Sequence, residues 1–324
     1  MLSLSELNNK VKEYFEAESF TGTPHQLYEP IDYTLAQGGK RIRPAMLLAA
    51  TQMFGGDIET ARYAAIGIET FHNFTLLHDD LMDKSPMRRG KPTVYRKWDE
   101  NTAILSGDAM NILAWRYFLR TPHHNLHRIL RTFEKTSMEI CEGQQYDMNF
   151  ETQNNVTIDE YMEMIRLKTA VMLGGALKIG ALYADANDND MELLYDFGIK
   201  IGLAFQLRDD LLDVYGDTAT FGKQTGTDIR DNKKTYLLLS SINKASSQQK
   251  ERLMQLFSVS DGDQTAKVKE VIDIYNALDI RSEVENAINN LHNEALTKLN
   301  TISQPDNNKA PLYELTQQLL NRQI

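Results

Sequence analysis

Three aspartates at a fixed spacing occur twice in the sequence, and carboxylates at this spacing could bind divalent cations. The two sets are Asp79, Asp80 and Asp83, and, 130 residues later, Asp209, Asp210 and Asp213. If each set is helical, its first and last aspartates share a face, where like charges cost about 0.2–0.5 kcal/mol. Mg²⁺ is commonly held by a few carboxylates together with substrate phosphates. Two copies, each ending an apolar run, favour a metal site over a solvated acidic face.

Polar side chains precede both aspartate sets at helical spacing. His72 and Thr75 lead to Asp79, and Gln206 leads to Asp209, in steps of three and four. The other sides of both segments are apolar. Two helices are therefore predicted to present polar faces that end in carboxylates, and six carboxylates would converge if these faces oppose one another.

Basic residues are grouped near both sets, although the net charge is −10. The groups are Lys40, Arg41 and Arg43 in "GGKRIRP", Arg88, Arg89 and Lys91 in "PMRRGKP", and Lys223, Lys233 and Lys234 in "FGKQTGTDIRDNKKT". Arginine can bind phosphate oxygens through two parallel bonds, whereas lysine acts as a point charge. Each group alone would usually be surface charge, but their placement favours a shared phosphate site.

Lys168 interrupts an apolar stripe on a predicted helix. The stripe consists of Tyr161, Met164, Ile165, Val171 and Met172. The alternative is that the lysine stem is buried and its ammonium reaches water. Because Thr169 follows directly, we favour phosphate binding. For His72, a core histidine bonded to a backbone carbonyl remains the alternative.

The pattern of the chain predicts an all-α protein. No proline occurs from residue 123 to residue 304, and apolar residues recur there at helical spacing. Ser3 with Glu6, and Thr157 with Glu160, are spaced as capping boxes that begin helices. We expect one domain, residues 1–324, with a less regular portion over Thr21–Pro30.

Composition excludes several classes of protein. The acidic balance, with a pI of about 5.3, argues against a nucleic-acid-binding surface. One cysteine excludes an intrachain disulfide and a cysteine-rich zinc site. No segment has the roughly 18 apolar residues needed to span a bilayer, and the polar N-terminus lacks the features of a signal peptide. A cytoplasmic protein without stable membrane insertion is expected.

One acidic segment resembles a calcium-binding loop only in part. Asp185, Asn187 and Asn189 are spaced like the start of an EF-hand loop. Position six is Asp190 instead of glycine, and position twelve is Asp196 instead of glutamate. The segment is predicted to be a polar loop between helices.

Taken in order, the motifs resemble those of the trans-isoprenyl diphosphate synthases, the polyprenyl synthetase family. The matching segments are "GGKRIRP", "FHNFTLLHDDLMDKSPMRRG", "LKTA", "FQLRDDLLDVYGD" and "GKQTGTDIRDNKKT". The resemblance implies the isoprenoid synthase fold, a helical bundle around a deep central cavity, in a homodimer. It also implies a prenyltransferase that condenses isopentenyl diphosphate head to tail with an allylic diphosphate (dimethylallyl, geranyl or farnesyl).

The resemblance implies roles for individual residues. Asp79, Asp83 and Asp209 would be the principal ligands of Mg²⁺, with three ions per active site and Mn²⁺ able to substitute, and Asp80, Asp210 and Asp213 would support them. The allylic diphosphate would contact Arg88, Lys168, Thr169, Gln206, Lys223 and Lys233. Isopentenyl diphosphate would contact Gly39, Lys40, Arg43, His72 and Arg89.

The resemblance also bears on the length of the product. Phe74 precedes Asp79 by five residues, about 7.5 Å along a helix at 1.5 Å per residue. A bulky side chain there should act as a floor for the growing chain, with Phe71 further down and Thr75 leaving some room. We expect a short all-trans product, geranylgeranyl diphosphate first and farnesyl diphosphate next. The alternative is that Phe74 simply packs the core.

Two other functions compete with this interpretation. A class I terpene cyclase also uses an aspartate-rich motif, but its second metal motif differs from the second Asp-Asp-x-x-Asp found here. A non-catalytic subunit of a heteromeric synthase should have lost aspartates or arginines, and this chain retains both sets. Both alternatives are disfavoured by the sequence.

Overall fold

A computed structural model describes residues 1–216, 225–258 and 262–320, and nearly all regular structure in these ranges is helical. The first elements are α1 (Leu4–Glu16), α2 (His25–Ala36), α3 (Ile42–Met53), α4 (Ile58–Met82), β1 (Met87–Arg88), β2 (Lys91–Pro92), α5 (Val94–Lys97), α6 (Glu100–Phe118) and α7 (Leu126–Thr152). The all-α prediction is confirmed.

The remaining elements continue the helical series. They are α8 (Ile158–Ile165), a π-helix (Arg166–Ala170), α9 (Val171–Tyr183), α10 (Asp188–Tyr215), α11 (Thr227–Arg230), α12 (Tyr236–Lys244), α13 (Ser247–Leu256), α14 (Gln264–Ala277), α15 (Ile280–Thr301) and α16 (Asp306–Leu320). None of the helices in the described ranges combines the length and apolar character needed to cross a membrane.

The chain divides into two units. Unit 1 comprises Met1–Phe133, Ala176–Met191 and Ser303–Leu312, and unit 2 comprises Glu134–Gly175, Glu192–Ile302 and Tyr313–Ile324. The assignment of residues 1–324 to a single synthase domain stays a prediction.

In unit 1, α4 packs against α3 and α6. Ala61, Ala64 and Ala65 of α4 are buried. At Gly67, a Cβ would lie only 3.0 Å from the backbone oxygen of Ala114 on α6. Small residues therefore let the two helices approach closely, and this packing fixes the position of the C-terminal end of α4.

In unit 2, the π-helix is packed tightly between α7 and α10. A Cβ at Gly143 of α7 would lie 2.3 Å from the backbone nitrogen of Lys168. A Cβ at Gly202 of α10 would lie 2.5 Å from the Cα of Ala170. Only glycine permits such contacts between backbones, so these two positions hold the π-helix in place.

The two capping boxes expected from the sequence are confirmed. In both, the Ser3 or Thr157 hydroxyl accepts from the backbone of the glutamate three residues later, whose side chain bonds back. The expected irregular portion over Thr21–Pro30 is wrong in its second half, because α2 begins at His25 and contains Pro30. Pro30 is buried within α2, although it lacks the N–H of one helical hydrogen bond.

Candidate active site

The first aspartate set lies at the C-terminal end of α4. Asp79 and Asp80 belong to the last turn, and Asp83 is the C-cap residue, with its backbone N–H bonded to the oxygen of Asp79 at 2.8 Å. Carboxylates at a helix C-terminus add to the negative end of the helix dipole, which is unfavourable for the helix alone. Positive charge is therefore favoured at this end of α4.

Arg88 supplies one positive charge at this position. Its Nε donates to both carboxylate oxygens of Asp80, at 2.9 and 2.8 Å. Asp80 is 5% exposed, and burial raises the pKa of its carboxyl while Arg88 opposes that rise. Arg88 ends β1, and the two-residue turn that follows, Arg89 and Gly90, has positive φ at both positions, as a type I′ hairpin requires. This hairpin was not foreseen from the sequence.

A second cationic group surrounds His72. Nη1 of Arg43 lies 3.1 Å from Nε2 of His72, and because a guanidinium only donates, Nε2 accepts. Burial, followed by the charges of Arg43, Arg89 and Arg88, holds the pKa of His72 well below its ordinary value. His72 is therefore a neutral imidazole that carries its proton on Nδ1.

Arg89 joins this group to the glycine pair. Its Nη1 donates to the backbone oxygen of Gly38. A Cβ at Gly39, whose φ is +144°, would lie 2.8 Å from Nη2 of Arg89. The structure thus brings together four of the five residues assigned to isopentenyl diphosphate. The fifth, Lys40, is exposed and lines a cavity of about 520 Å³.

Glu69 is a buried member of this site that the sequence interpretation missed. It is 3% exposed, its Oε1 accepts from Nδ2 of Asn73 at 3.3 Å, and Arg43, Arg89 and Arg41 counteract the rise in its pKa that burial causes. Within the described ranges, Oε2 of Glu69 and Nε of Arg43 are buried without a hydrogen-bond partner. One further helical step back from His72 along the polar face reaches Glu69, and that spacing is the signal that could have found it.

The π-helix of unit 2 carries Lys168 and Thr169. Nζ of Lys168 donates to Oδ2 of Asp147 on α7 at 2.6 Å, so its ammonium has a carboxylate partner instead of simply reaching water. Nothing in the sequence spacing links Asp147 to Lys168. Short π-helical segments inside α-helices are frequent at functional sites, because the extra residue in the turn redirects side chains.

The second aspartate set ends α10 and is also bonded to neighbouring side chains. Asp210 accepts from the Tyr161 hydroxyl at Oδ2 and from Nε2 of Gln206 at Oδ1, the latter at 3.1 Å. Gln206 in turn accepts from the Thr169 hydroxyl at 3.3 Å. Burial, followed by the negative charge of Asp228, raises the pKa of Asp210 to about 8. Tyr161, which the sequence interpretation placed only in an apolar stripe, is thus a polar partner of the site.

The rest of the second set lies near the segment that follows it. Oδ2 of Asp213 accepts from the backbone N–H of Asp228 at 3.0 Å, and Asp209 is half-buried. Nζ of Lys233 lies 3.9 Å from Oδ1 of Asp228. Lys223 lies outside the described residues.

The donor sets fit a hard divalent cation. In the described ranges, the ligand atoms of neither aspartate set all lie within 4.8 Å of one another, so neither is a closed protein cage. Mg²⁺ does not need one, because it keeps several waters and takes oxygens from one or two carboxylates and from phosphates. Asp79, Asp80 and Asp213 also sit in the last turns of α4 and α10, where a cation offsets the unfavourable carboxylate charge.

The proposed chain-length residues lie on α4 before the first aspartates. Phe74 is half-buried, with its ring centroid 5.3 Å from that of Phe71 and 4.8 Å from that of His78. Phe71 is buried and packs edge-to-face on Phe133 at 5.2 Å. The hydroxyl of Thr75 donates to the backbone oxygen of His72 at 2.8 Å. An aromatic layer therefore lies on the N-terminal side of Asp79.

The fold is all-α, and two of its long helices carry aspartates near their C-terminal ends with cationic side chains close by. These features are typical of proteins that bind anionic substrates together with divalent cations. A family model described as polyprenyl synthetase matches residues 24–275. The chain is 36% identical over 272 residues to a short chain isoprenyl diphosphate synthase of Methanocaldococcus jannaschii, covering 84% of this chain and 81% of that one. It is 41% identical over 224 residues to a geranylgeranyl diphosphate synthase of Methanosarcina mazei, covering 68% and 69%.

A solved structure of a geranylgeranyl pyrophosphate synthase superposes with a TM-score of 0.95 at 40% identity, covering 100% of both chains. The chain belongs to the polyprenyl synthetase family. The predictions of a prenyltransferase and of the isoprenoid synthase fold are thereby confirmed. The terpene cyclase and the non-catalytic subunit are not favoured.

Proposed function

We propose that this prenyltransferase condenses isopentenyl diphosphate with an allylic diphosphate in a Mg²⁺-dependent reaction and releases mainly geranylgeranyl diphosphate, with farnesyl diphosphate next. The observation that carries the proposal is the bifurcated hydrogen bond from Nε of Arg88 to both carboxylate oxygens of Asp80. Through it the carboxylates that end α4 are joined to the cationic group of Arg43, His72 and Arg89, so metal-binding and diphosphate-binding side chains form one continuous site in unit 1.

The cationic side chains would act mainly by electrostatics. As the allylic carbon–oxygen bond breaks, the departing pyrophosphate takes the electron pair, and Arg88, Lys168 and Lys233 stabilise its charge. Lys223, Thr169 and Gln206 complete this diphosphate site in the proposal. The double bond of isopentenyl diphosphate then attacks the allylic cation, and the released pyrophosphate removes the final proton.

The isopentenyl diphosphate site would be held by residues around the hairpin. Arg43 and Arg89 supply fixed positive charge, and Lys40 supplies a mobile one. Gly39 leaves room for the Arg89 guanidinium. Since His72 already accepts from Arg43 through Nε2, its Nδ1–H remains as a neutral donor to an anionic oxygen.

Asp79, Asp83 and Asp209 would hold Mg²⁺, three ions per active site, with Mn²⁺ able to substitute, and these ions would neutralise the diphosphate charge. Asp80 and Asp210 are the most buried members of their sets, and each is bonded to protein side chains. These bonds favour an indirect role for Asp80 and Asp210, in which both residues orient neighbouring groups. Asp213, bonded to the Asp228 backbone, fits the same role.

A homodimer is supported by an exposed apolar stripe that runs along α6 to its C-cap residue, Leu119. Leu105, Ile112 and Leu119 follow one another at seven-residue spacing and are 61%, 62% and 58% exposed. Apolar side chains repeated along one helix face are typical of a surface that packs against another helix. A two-fold axis would bring the same stripe of a second copy against it. The cytoplasmic location stays a prediction.

The deciding experiment offers radiolabelled isopentenyl diphosphate with C5, C10 or C15 allylic primers, with and without Mg²⁺, and measures product length. We expect Mg²⁺-dependent incorporation that ends mainly at C20. No incorporation with any primer by folded protein in Mg²⁺ would reject the catalytic proposal. Incorporation that ends at C15 or beyond C20 would reject only the assignment of geranylgeranyl diphosphate.

A further inference from the structure

A second cluster of possible metal ligands lies away from the aspartates. His123 and His124 precede α7, and Asp185 lies in the turn between α9 and α10, all within unit 1. One ligand atom from each lies within 4.8 Å of the others, and in the described ranges no other three His, Cys, Asp or Glu residues meet this condition. Two imidazole nitrogens and one carboxylate oxygen are thus close enough to one another to hold one metal ion.

The three side chains are held in place by contacts between the two segments. The rings of His123 and His124 stack with centroids 4.4 Å apart. Nε2 of His124 lies 2.5 Å from Oδ1 of Asp185. Nδ2 of Asn125 donates to the same oxygen at 2.8 Å and to the backbone oxygen of Leu182 at 3.1 Å. Hydrogen bonds and ring stacking therefore hold the three side chains near one another, which lowers the entropic cost of binding a cation.

The surrounding hydrogen bonds match those found around metal ligands. Ligating histidines usually donate their second ring N–H to a carbonyl, and ligating carboxylates are themselves hydrogen-bonded. His123 is bonded to the backbone of Tyr183, and Asn125 bonds the carboxylate of Asp185. Nδ1 of His123 accepts from the backbone N–H of Asn125 at 3.1 Å, a contact that a cation at Nδ1 would replace.

We propose that His123, His124 and Asp185 form a binding site for a transition-metal dication, with Zn²⁺ the preferred ion and Co²⁺ and Ni²⁺ as substitutes. Two nitrogens and one oxygen are a frequent ligand set for Zn²⁺, with water in the fourth position, whereas Mg²⁺ prefers oxygen alone. The bound ion ties the segment before α7 to the turn between α9 and α10. The ligands come from segments about 60 residues apart, so the complete site exists only in the folded chain. Binding of the ion therefore stabilises the folded state by mass action.

The test titrates tag-free protein with Zn²⁺ by calorimetry in the presence of excess Mg²⁺, and with Co²⁺ followed by its visible absorption. We expect one Zn²⁺ per chain outside the aspartate sites, lost in His124→Ala and in Asp185→Asn. The matched control is His127→Ala, an exposed histidine nearby on α7, which should bind as the unaltered protein does. The side chains of His124 and Asp185 are both more than half exposed, so neither variant should impair folding.

A positioning role for Asn125 gives an independent readout. Asn125→Ala should weaken Zn²⁺ binding by about 10–100-fold, since loss of a residue that orients a ligand usually costs that much. Prenyl transfer in Mg²⁺ should be unchanged in Asp185→Asn. Equal Zn²⁺ affinity in the unaltered protein and in His124→Ala or Asp185→Asn would overturn the proposal, as would failure of the unaltered protein to bind Zn²⁺ in excess Mg²⁺.

Discussion

Arg43 donates to Nε2 of His72 across 3.1 Å, so a permanently charged guanidinium and a neutral imidazole form one partly buried pair. A proton on Nε2 would remove the acceptor and place a second positive charge beside Arg43. The pair therefore exists only while His72 is uncharged. The hydrogen bond thus requires a neutral His72, and burial with the neighbouring arginines keeps His72 neutral.

The stability of the protein should fall below about pH 6.5 because of His72. In the unfolded chain a histidine binds a proton with a pKa of about 6.5, whereas burial and the neighbouring arginines depress the pKa of His72 in the folded state. The unfolded state thus binds more protons in this window. The free energy of unfolding should decrease as pH falls, by at most about 1.4 kcal/mol per pH unit from this group.

Urea unfolding between pH 8 and pH 5 measures this slope. In His72→Gln, whose amide oxygen can still accept from Arg43, the contribution of His72 to this slope should be absent, so the variant should lose less stability as pH falls. An equal pH dependence in the two proteins would show that His72 is not the titrating group.

The pair of Arg88 and Asp80 should be strongly coupled. Arg88→Ala leaves a carboxylate that is 5% exposed without its partner, and we expect the free energy of unfolding to fall by about 1.5–3 kcal/mol. The double variant Asp80→Asn/Arg88→Ala should be about as stable as Asp80→Asn alone. Chemical unfolding of all four proteins gives the coupling, and additivity within about 0.5 kcal/mol would contradict it.

Asp147 should position Lys168 for the allylic diphosphate. Asp147→Ala removes the acceptor at 2.6 Å and with it one contact that positions the ammonium of Lys168. We expect kcat/KM for the allylic substrate to fall by about 10–100-fold, with little change in KM for isopentenyl diphosphate, because small displacements of a charged group can cost that much. The control is Asp159→Ala, an exposed aspartate on α8. Equal losses for both substrates would argue for a general structural role.

Phe74→Ala should lengthen the product by one or more five-carbon units, since it removes the half-buried ring in front of Phe71. Mass spectrometry of the released chains measures the shift. Phe71→Ala serves for comparison, because Phe71 is 2% exposed and its loss should cost about 3–5 kcal/mol of stability. An unchanged product distribution in Phe74→Ala would show that Phe74 is only a packing residue.

Ile112→Asp should separate the proposed dimer. A charge in the centre of the α6 stripe would be buried without a partner if two copies pack there, so the monomer is expected by light scattering. The control is Met254→Asp, an exposed apolar residue on α13 outside the stripe. A protein that stays dimeric after Ile112→Asp must dimerise through another surface.

The sequence predicted what depends on local spacing. The capping boxes at Ser3 and Thr157, and the helices that carry Asp79 and Asp209, follow from residue types three and four positions apart. These features need no knowledge of distant parts of the chain. The family motifs, in turn, predicted the class of enzyme.

The rest of the site depends on contacts between distant positions. Asp147 lies 21 residues from Lys168, and Tyr161 lies 49 residues from Asp210. No periodicity pairs such residues, because their proximity is set by how the helices pack. Glu69 is an intermediate case, since the helical spacing was visible but its burial beside Arg43 was not.

The π-helix changes the direction, around the helix axis, in which the side chains at the start of α9 point. The backbone N–H of Val171 bonds to the oxygen of Arg166, five residues earlier, where an α-helix would bond four residues earlier. One residue corresponds to about 100° of rotation about the helix axis. Deleting a single residue from Arg166–Ala170 could restore regular α-helical bonding. The deletion would also rotate Lys168 and Thr169 about the helix axis relative to α9. The irregular turn thus sets the rotation about the helix axis between the residues of α8 and those at the start of α9.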